Sequence, residues 1–399
     1  MRLRRPDGST VHVGYCTNVH PATDLEGIVA QLRRYAVPVR EALGCEVLGV
    51  GLWLPAPVAT GLAQDLLAVR RLRDEVDRLG LEVVTLNAFP YGDFHSPVVK
   101  HAVYRPDWTE GSRLDHTLAC ARVLGALLPD DVPAGAVSTL PLAWRSPWDD
   151  GRRALVRGHL TELARGLADL ADGGHRVAVG FEPEPGCVWE VLDDVLSGPD
   201  RLADLLGPAH LADGLVGVCL DTCHSAVGFD DLADVAARVG AQDVPVVKLQ
   251  AAAALHVPDP RSPGARRMLE DFDEPRFLHQ VREQRGSGRP AARDDLGDAL
   301  RGPGALPGQA PWRCHVHLPL HAELDGPGEV STGALVSALS ELVAPVGSTL
   351  DVVEVETYTW SVLPVEQRRI AGGDDLAAGL ARELAWVRDR LTDDGVEAR

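Results

Sequence analysis

The chain has 399 residues, 45% of them hydrophobic, which is enough to bury a large core in one unit or two. Asp and Glu outnumber Lys and Arg by 58 to 39, and the net charge of −19 repels a phosphate backbone, which argues against a nucleic-acid partner. Seven cysteines without CxxC spacing give neither a zinc ribbon nor a disulfide framework. The start, MRLRRP, lacks the apolar run of a signal peptide, and no segment reaches the roughly 18 apolar residues of a membrane span. A cytoplasmic protein acting on a small molecule, without stable membrane insertion, is the expectation.

Apolar strands alternate with amphipathic helices along the chain. Runs near 11–19, 45–53, 81–89, 135–142, 175–182, 215–221, 243–250 and 349–356 read as strands, and their natural closure is a parallel (β/α)8 TIM barrel of the α/β class. One domain over 10–395 is expected. The stretch 24–43 places Leu25, Ile28, Val29, Leu32 and Val39 at helical spacing behind Asp24 as a cap, with Pro38 bending or ending the helix. Residues 152–170 repeat the pattern and stop at Gly173-Gly174, and 374–391 form a terminal helix. An insertion at 258–311, rich in Pro, Gly and Arg, precedes the last strand. Its composition predicts a short helical patch around 277–281, a disordered stretch over 285–309 and a lid over the barrel mouth.

Function in barrels sits at the C-terminal ends of the strands. Apolar runs there lead into Glu182-Pro183-Glu184, Asp221-Thr222-Cys223-His224, His315-Val316-His317 and Glu354-Val355-Glu356. Taken alone, Asp221 reads as the cap of the next turn and His224 as a surface residue. Together the four ends offer carboxylates and imidazoles, the donors of a divalent metal: Mn, Zn, Fe or Mg. Alternation puts His315 and His317 on one face, with His317 the metal ligand and His315 orienting a carboxylate or reaching substrate. Glu184 and Glu354 lie two positions from proposed ligands and serve as base or outer support. Lys248, on an apolar strand, must find an anion or lose its charge; it either polarises a substrate carbonyl or pairs with Glu182 or Asp221. Asn18, His20, Asn87 and His95 follow early strands and could bind hydroxyls or a carbonyl, although Asn18 also suits a turn and His95 the surface. His279, in the insertion, is a further candidate.

GVCLDTCH at 217–224 resembles the strand-end motif of the xylose-isomerase-like barrels, which include the endonuclease IV apurinic nucleases and the ketose 3-epimerases. FEPEPG, HVH and VEVET follow the order of that superfamily. Within it, GYCTNVHP, VKLQAAAAL and EVETYTW resemble EboE, a metabolite-traffic protein encoded with a prenyltransferase in bacterial export operons. The likeness runs from Gly14 to about Trp360. It implies that Glu182 is the first ligand, Asp221 the central one and Glu356 that of the last strand. His224 matches a position that binds a second metal in the nucleases and contacts substrate in the epimerases. Two departures stand out: Lys248 and Gln250 lie where the nucleases carry a histidine, and the early strands lack a histidine pair. One or two ions are therefore implied rather than three, with Gln250 on the substrate side.

The resulting expectation is a metal-dependent isomerase or epimerase of a small polar metabolite in a biosynthesis or export pathway. The metal would hold adjacent oxygens, Glu182 and Glu356 would share ligand and base roles, and His224 or Lys248 would steady the oxyanion. Two alternatives stand beside it: an iron-dependent oxidative barrel, and a non-catalytic metabolite-binding protein that associates with other export-operon proteins.

Overall fold

Short β-branched and aliphatic runs, too apolar for a surface sheet, form the centre of the molecule. The computed structural model describes every residue except Asp93, Ser287, Gly372 and Arg399. Eight parallel strands follow the expected order: β1 Thr10–Cys16, β2 Leu48–Trp53, β3 Leu81–Asn87, β4 Ala134–Thr139, β5 Arg176–Phe181, β6 Val216–Asp221, β7 Val246–Ala251 and β8 Val352–Val355. Each pairs with its neighbour, and β8 closes on β1 with Val352 opposite His12. The closed parallel barrel is the fold read from the sequence. Every residue of β2, β3 and β6 is buried, because side chains fill the interior and helices cover the outside.

The helices begin and end where local chemistry requires. Asp24 accepts a hydrogen bond from the Gly27 amide and starts the helix Leu25–Gln31. The bend expected at Pro38 is absorbed just before it, by a wide turn over Leu32–Ala36 that leads into Val37–Leu43. The long helix Asp150–Asp172 ends at Gly173, and Leu376–Asp393 packs last against the barrel. Among the described residues no helix is long and apolar enough to cross a membrane.

The insertion departs from expectation. Its strands Val281–Glu283 and Ala291–Arg293 join Ala254–Val257, Trp312–Cys314 and Glu329–Ser331, which lie on either side of it in the chain, in a second, antiparallel sheet. The helix lies at Pro263–Phe272 rather than around 277–281, and Leu296–Leu300 forms another within the stretch expected to be disordered. Met268, Leu269, Phe272, Leu296, Leu300 and Trp312 join the main core, and Glu283 accepts hydrogen bonds from Trp312 Nε1 and the amides of Gly308 and Gln309. The Pro and Gly residues thus serve as turns between strands of three residues, too short to show alternation. Trp312–Cys314 belongs to this sheet, so His315-Val316-His317 enters the barrel mouth from outside the barrel.

Candidate metal centre

Six of the eight barrel strands deliver a polar side chain to one end of the barrel. Asn18 follows β1, Asn87 ends β3, Glu182 follows β5, Asp221 ends β6, Gln250 lies near the end of β7 and Glu356 follows β8. All six are buried. The carboxylates of Glu182, Asp221 and Glu356 bring an oxygen each within 4.8 Å of one another. Amides hold this lower layer together. Gln250 Nε2 donates to Glu356 Oε2, to Glu182 Oε1 at 3.1 Å and to Asp221 Oδ2 at 3.4 Å, while Asn18 and Asn87 donate to Glu356 Oε1 at 2.7 and 2.9 Å. Glu356 is thereby saturated with donors, whereas the buried Glu182 Oε2 has none.

Above this layer three imidazoles converge. His224 Nε2 and His317 Nε2 each lie 3.1 Å from His315 Nε2. The opposite nitrogens settle which ring atom carries the proton. His224 Nδ1 donates to the Pro183 carbonyl at 3.1 Å and His317 Nδ1 to the Glu356 carbonyl at 2.7 Å. Gln280 Nε2 faces the Pro185 carbonyl and the Glu184 carboxylate, so its Oε1 accepts from His315 Nδ1 at 2.6 Å. All three Nε2 atoms therefore present lone pairs to the same gap with no proton between them, an arrangement that a shared cation would satisfy. His224, His315 and His317 would hold a divalent ion through these nitrogens. Glu184 with His224 and His315, and Asp221 with His224 and His317, form further donor groups of the same size. Glu184 Oε2 is buried without a partner. The residues present fit a divalent ion.

Burial sets the protonation states. It drives His224 down to about 4, aided by His317 and opposed by Asp221, lowers His317, and pushes His315 well below the usual imidazole range. All three rings stay neutral and able to bind a cation. Burial raises the carboxyls: Glu356 to about 8, with Asp221 adding repulsion, and Glu184 to about 8 against the opposing hydrogen bonds from Tyr104 and Gln280. Glu182 rises well above the carboxylate range through burial and its neighbours Glu356 and Asp221.

The other sequence candidates fall into place around this centre. Asp221 does cap the turn after β6, its Oδ1 accepting from the His224 amide at 2.8 Å, but His224 is buried rather than on the surface. His315 does not stand behind His317; its Nε2 faces the same gap. Lys248 pairs at 2.5 Å with Glu354, both fully buried, and donates to Ser138 Oγ; neither lysine nor glutamate lines the pocket. His20 stacks on Tyr35 and contacts Tyr15 Oη, and His95 packs edge-on against Trp53 and Phe94, so neither reaches the pocket wall. His279 donates from Nδ1 to the His315 carbonyl and supports the loop from beneath.

Sequence reasoning missed Tyr104, Gln280 and Tyr358. Tyr104 donates to Glu184 Oε1 at 2.7 Å, and Tyr358 Oη lies 3.4 Å from His315 Nε2. Only Tyr358 carried a signal, standing two residues after Glu356. Glu383 supports the site from the terminal helix: it accepts from Thr357 Oγ1 at 2.6 Å, the Leu320 amide and Trp360 Nε1, joining the segments that follow His317 and Glu356. Glu383→Ala strands these three buried donors, and a loss of about 2–4 kcal/mol in denaturant unfolding is expected.

No protein-family model matches the chain, and no curated protein sequence matches it. Among solved structures, it is similar to a putative sugar phosphate isomerase/epimerase from Anabaena variabilis, with 13% identity and a TM-score of 0.50 over 97% of this chain and 100% of that one. The IolI protein with a bound zinc atom is similar at 12% identity and TM-score 0.48, over 96% and 98% of the two chains. A xylose isomerase domain protein from Planctomyces limnophilus follows at 12% identity and TM-score 0.45, over 96% and 98%. The first of these, together with the closed parallel barrel, shows the fold alone: a (β/α)8 barrel.

Proposed function

We propose that this barrel is a metal-dependent enzyme that moves a proton next to a carbonyl in a small metabolite, an isomerase or epimerase. The observation that carries this reading is the convergence of three unprotonated Nε2 atoms at 3.1 Å beside carboxyls held ready for proton transfer. His224, His315 and His317 would hold one divalent ion, with Glu182, Glu184 or Asp221 completing the set. Three imidazoles favour Zn, Mn or Fe over Mg, which prefers oxygen donors. The bound ion would polarise adjacent substrate oxygens. A second ion at the carboxylates is not needed, because the Gln250 amide already donates to all three.

The chain's own groups divide the remaining work. Glu184, held by Tyr104 and Gln280 and titrating at about 8, is suited to give and take a proton near neutral pH. Glu182, with one free buried oxygen, is a second carboxyl available for proton transfer, and Asn18 and Asn87 fix Glu356 between them. Lys248 is left out of the chemistry. The acidic surface supports a metabolite rather than duplex DNA as substrate. A place in a metabolite-traffic or export pathway, as for EboE, with other proteins of that pathway as partners, is the finer proposal and rests on the sequence blocks alone.

The test is solvent exchange. Metal-loaded protein in D2O should place deuterium on the carbon next to the carbonyl of α-hydroxy ketones, and Glu184→Gln should slow this at least about tenfold. Metal-loaded protein that exchanges no proton would instead support the binding or traffic role. His224, His315 and Glu184 also form a two-imidazole, one-carboxylate set, so bound iron with oxygen consumption would favour the oxidative reading.

A further inference from the structure

The pocket over the metal centre has two unlike halves. Its floor is the carboxylate and imidazole cluster, and its wall is apolar, lined by Phe89, Phe94, Val99, Phe277, Leu278 and Tyr358. Phe94, Val99 and Phe277 form with Trp53 a hydrophobic cluster separate from the main core, with Tyr358 packed against it, while Phe89 and Leu278 belong to the main core. Three of the wall's rings come from different parts of the chain: Phe94 from the loop after β3, Phe277 from the insertion and Tyr358 from the segment after β8. Their centroids lie 4.9–5.1 Å apart in all three pairs. Tyr358 also packs 4.6 Å from His317, so wall and floor are continuous. The insertion is what completes the wall, since Phe277 belongs to it.

The pocket offers little to a phosphate. Among its described lining residues the one cation is Lys100, which is bound to Asp295 at 2.5 Å. Arg276, next to Phe277, lies over that ring and donates to Ser361 Oγ. Apart from the metal itself, a phosphorylated ligand would find no unpaired Lys or Arg among these lining residues.

We infer that the substrate has an oxygenated head, which meets the metal floor, on an uncharged aromatic or branched hydrocarbon body, which fills the Phe94–Phe277–Tyr358 wall, and that it is not a sugar phosphate. This rests on the metal-centre reading above. Three hydroxamates that share one chelating head separate the two ideas. With metal-loaded protein, benzohydroxamate should bind at least about tenfold more tightly than acetohydroxamate, the gain expected from burying a phenyl ring. Phosphonoacetohydroxamate should bind at least about tenfold more weakly than acetohydroxamate. Phe277→Leu should narrow the phenyl preference. Equal affinities for the three, or tighter binding of the phosphonate, would overturn the substrate class and leave the metal floor standing. Failure of all three to bind would overturn the floor and the inference together.

Discussion

Lys248→Met should cost about 3–5 kcal/mol of stability, because it leaves the Glu354 carboxylate uncompensated in the barrel interior. The pair lies at 2.5 Å, with both side chains fully buried. Burial alone would lower the lysine, but Glu354 outweighs it, so Lys248 is raised and charged. The pair also has a place built for it: a Cβ on Gly51 of β2 would lie inside the Glu354 carboxylate, so the strand must carry glycine there. The double variant Lys248→Met/Glu354→Leu replaces the pair with apolar groups of similar size and should recover most of the loss in urea unfolding. It should also keep its metal and its proton exchange, because neither residue lines the pocket. A stable double variant that has lost exchange would return Lys248 to the chemistry.

That pair illustrates what the sequence allows and what it hides. A lysine in the apolar run 244–250 announces a buried anion, yet the partner sits on β8, and only barrel closure brings the two together. The eight strands were legible because strands buried on both faces are written as continuous apolar runs, and the strand-end carboxylates stand out against them. The antiparallel sheet was not legible. Strands such as Ala291–Arg293 and Trp312–Cys314 have three residues each, and their Pro- and Gly-rich connections look like disorder until Met268, Phe272 and Trp312 are seen in the core. The role of His315 was hidden for a related reason. Alternation placed it on the same face as His317, but nothing local to it revealed that Gln280, 35 residues earlier in the chain, fixes its ring.

Removal of any one of the three imidazoles should abolish tight metal binding, and the effect should be alike at each position. His224→Ala, His315→Ala and His317→Ala each delete one of three lone pairs that share a gap. A loss of at least about 100-fold in metal affinity is expected for each, beyond the 10–100-fold typical of losing a ligand's hydrogen-bond partner. Dependence on pH adds a second reading of the same site. The carboxyls of Glu184 and Glu356 hold their protons to about pH 8 in the folded protein, against 4.5 as the ordinary value. Their contribution to metal-free stability is therefore complete below pH 4.5 and is lost as pH rises through 8. A cation favours their ionised forms and removes that loss. The imidazoles run the other way: His224 is neutral in the fold down to about pH 4, so its contribution is present above 6.5 and already complete where the carboxyls begin to titrate. Groups that titrate identically with and without metal cancel in the comparison. The stabilisation on adding Zn or Mn, read from the melting temperature, should consequently widen between pH 6.5 and 8, by on the order of 1–2 kcal/mol for each carboxyl. It should vanish in all three histidine variants. A full gain retained in His315→Ala would move the ion down to Glu182, Asp221 and Glu356, where the Gln250 amide would have to give way to it.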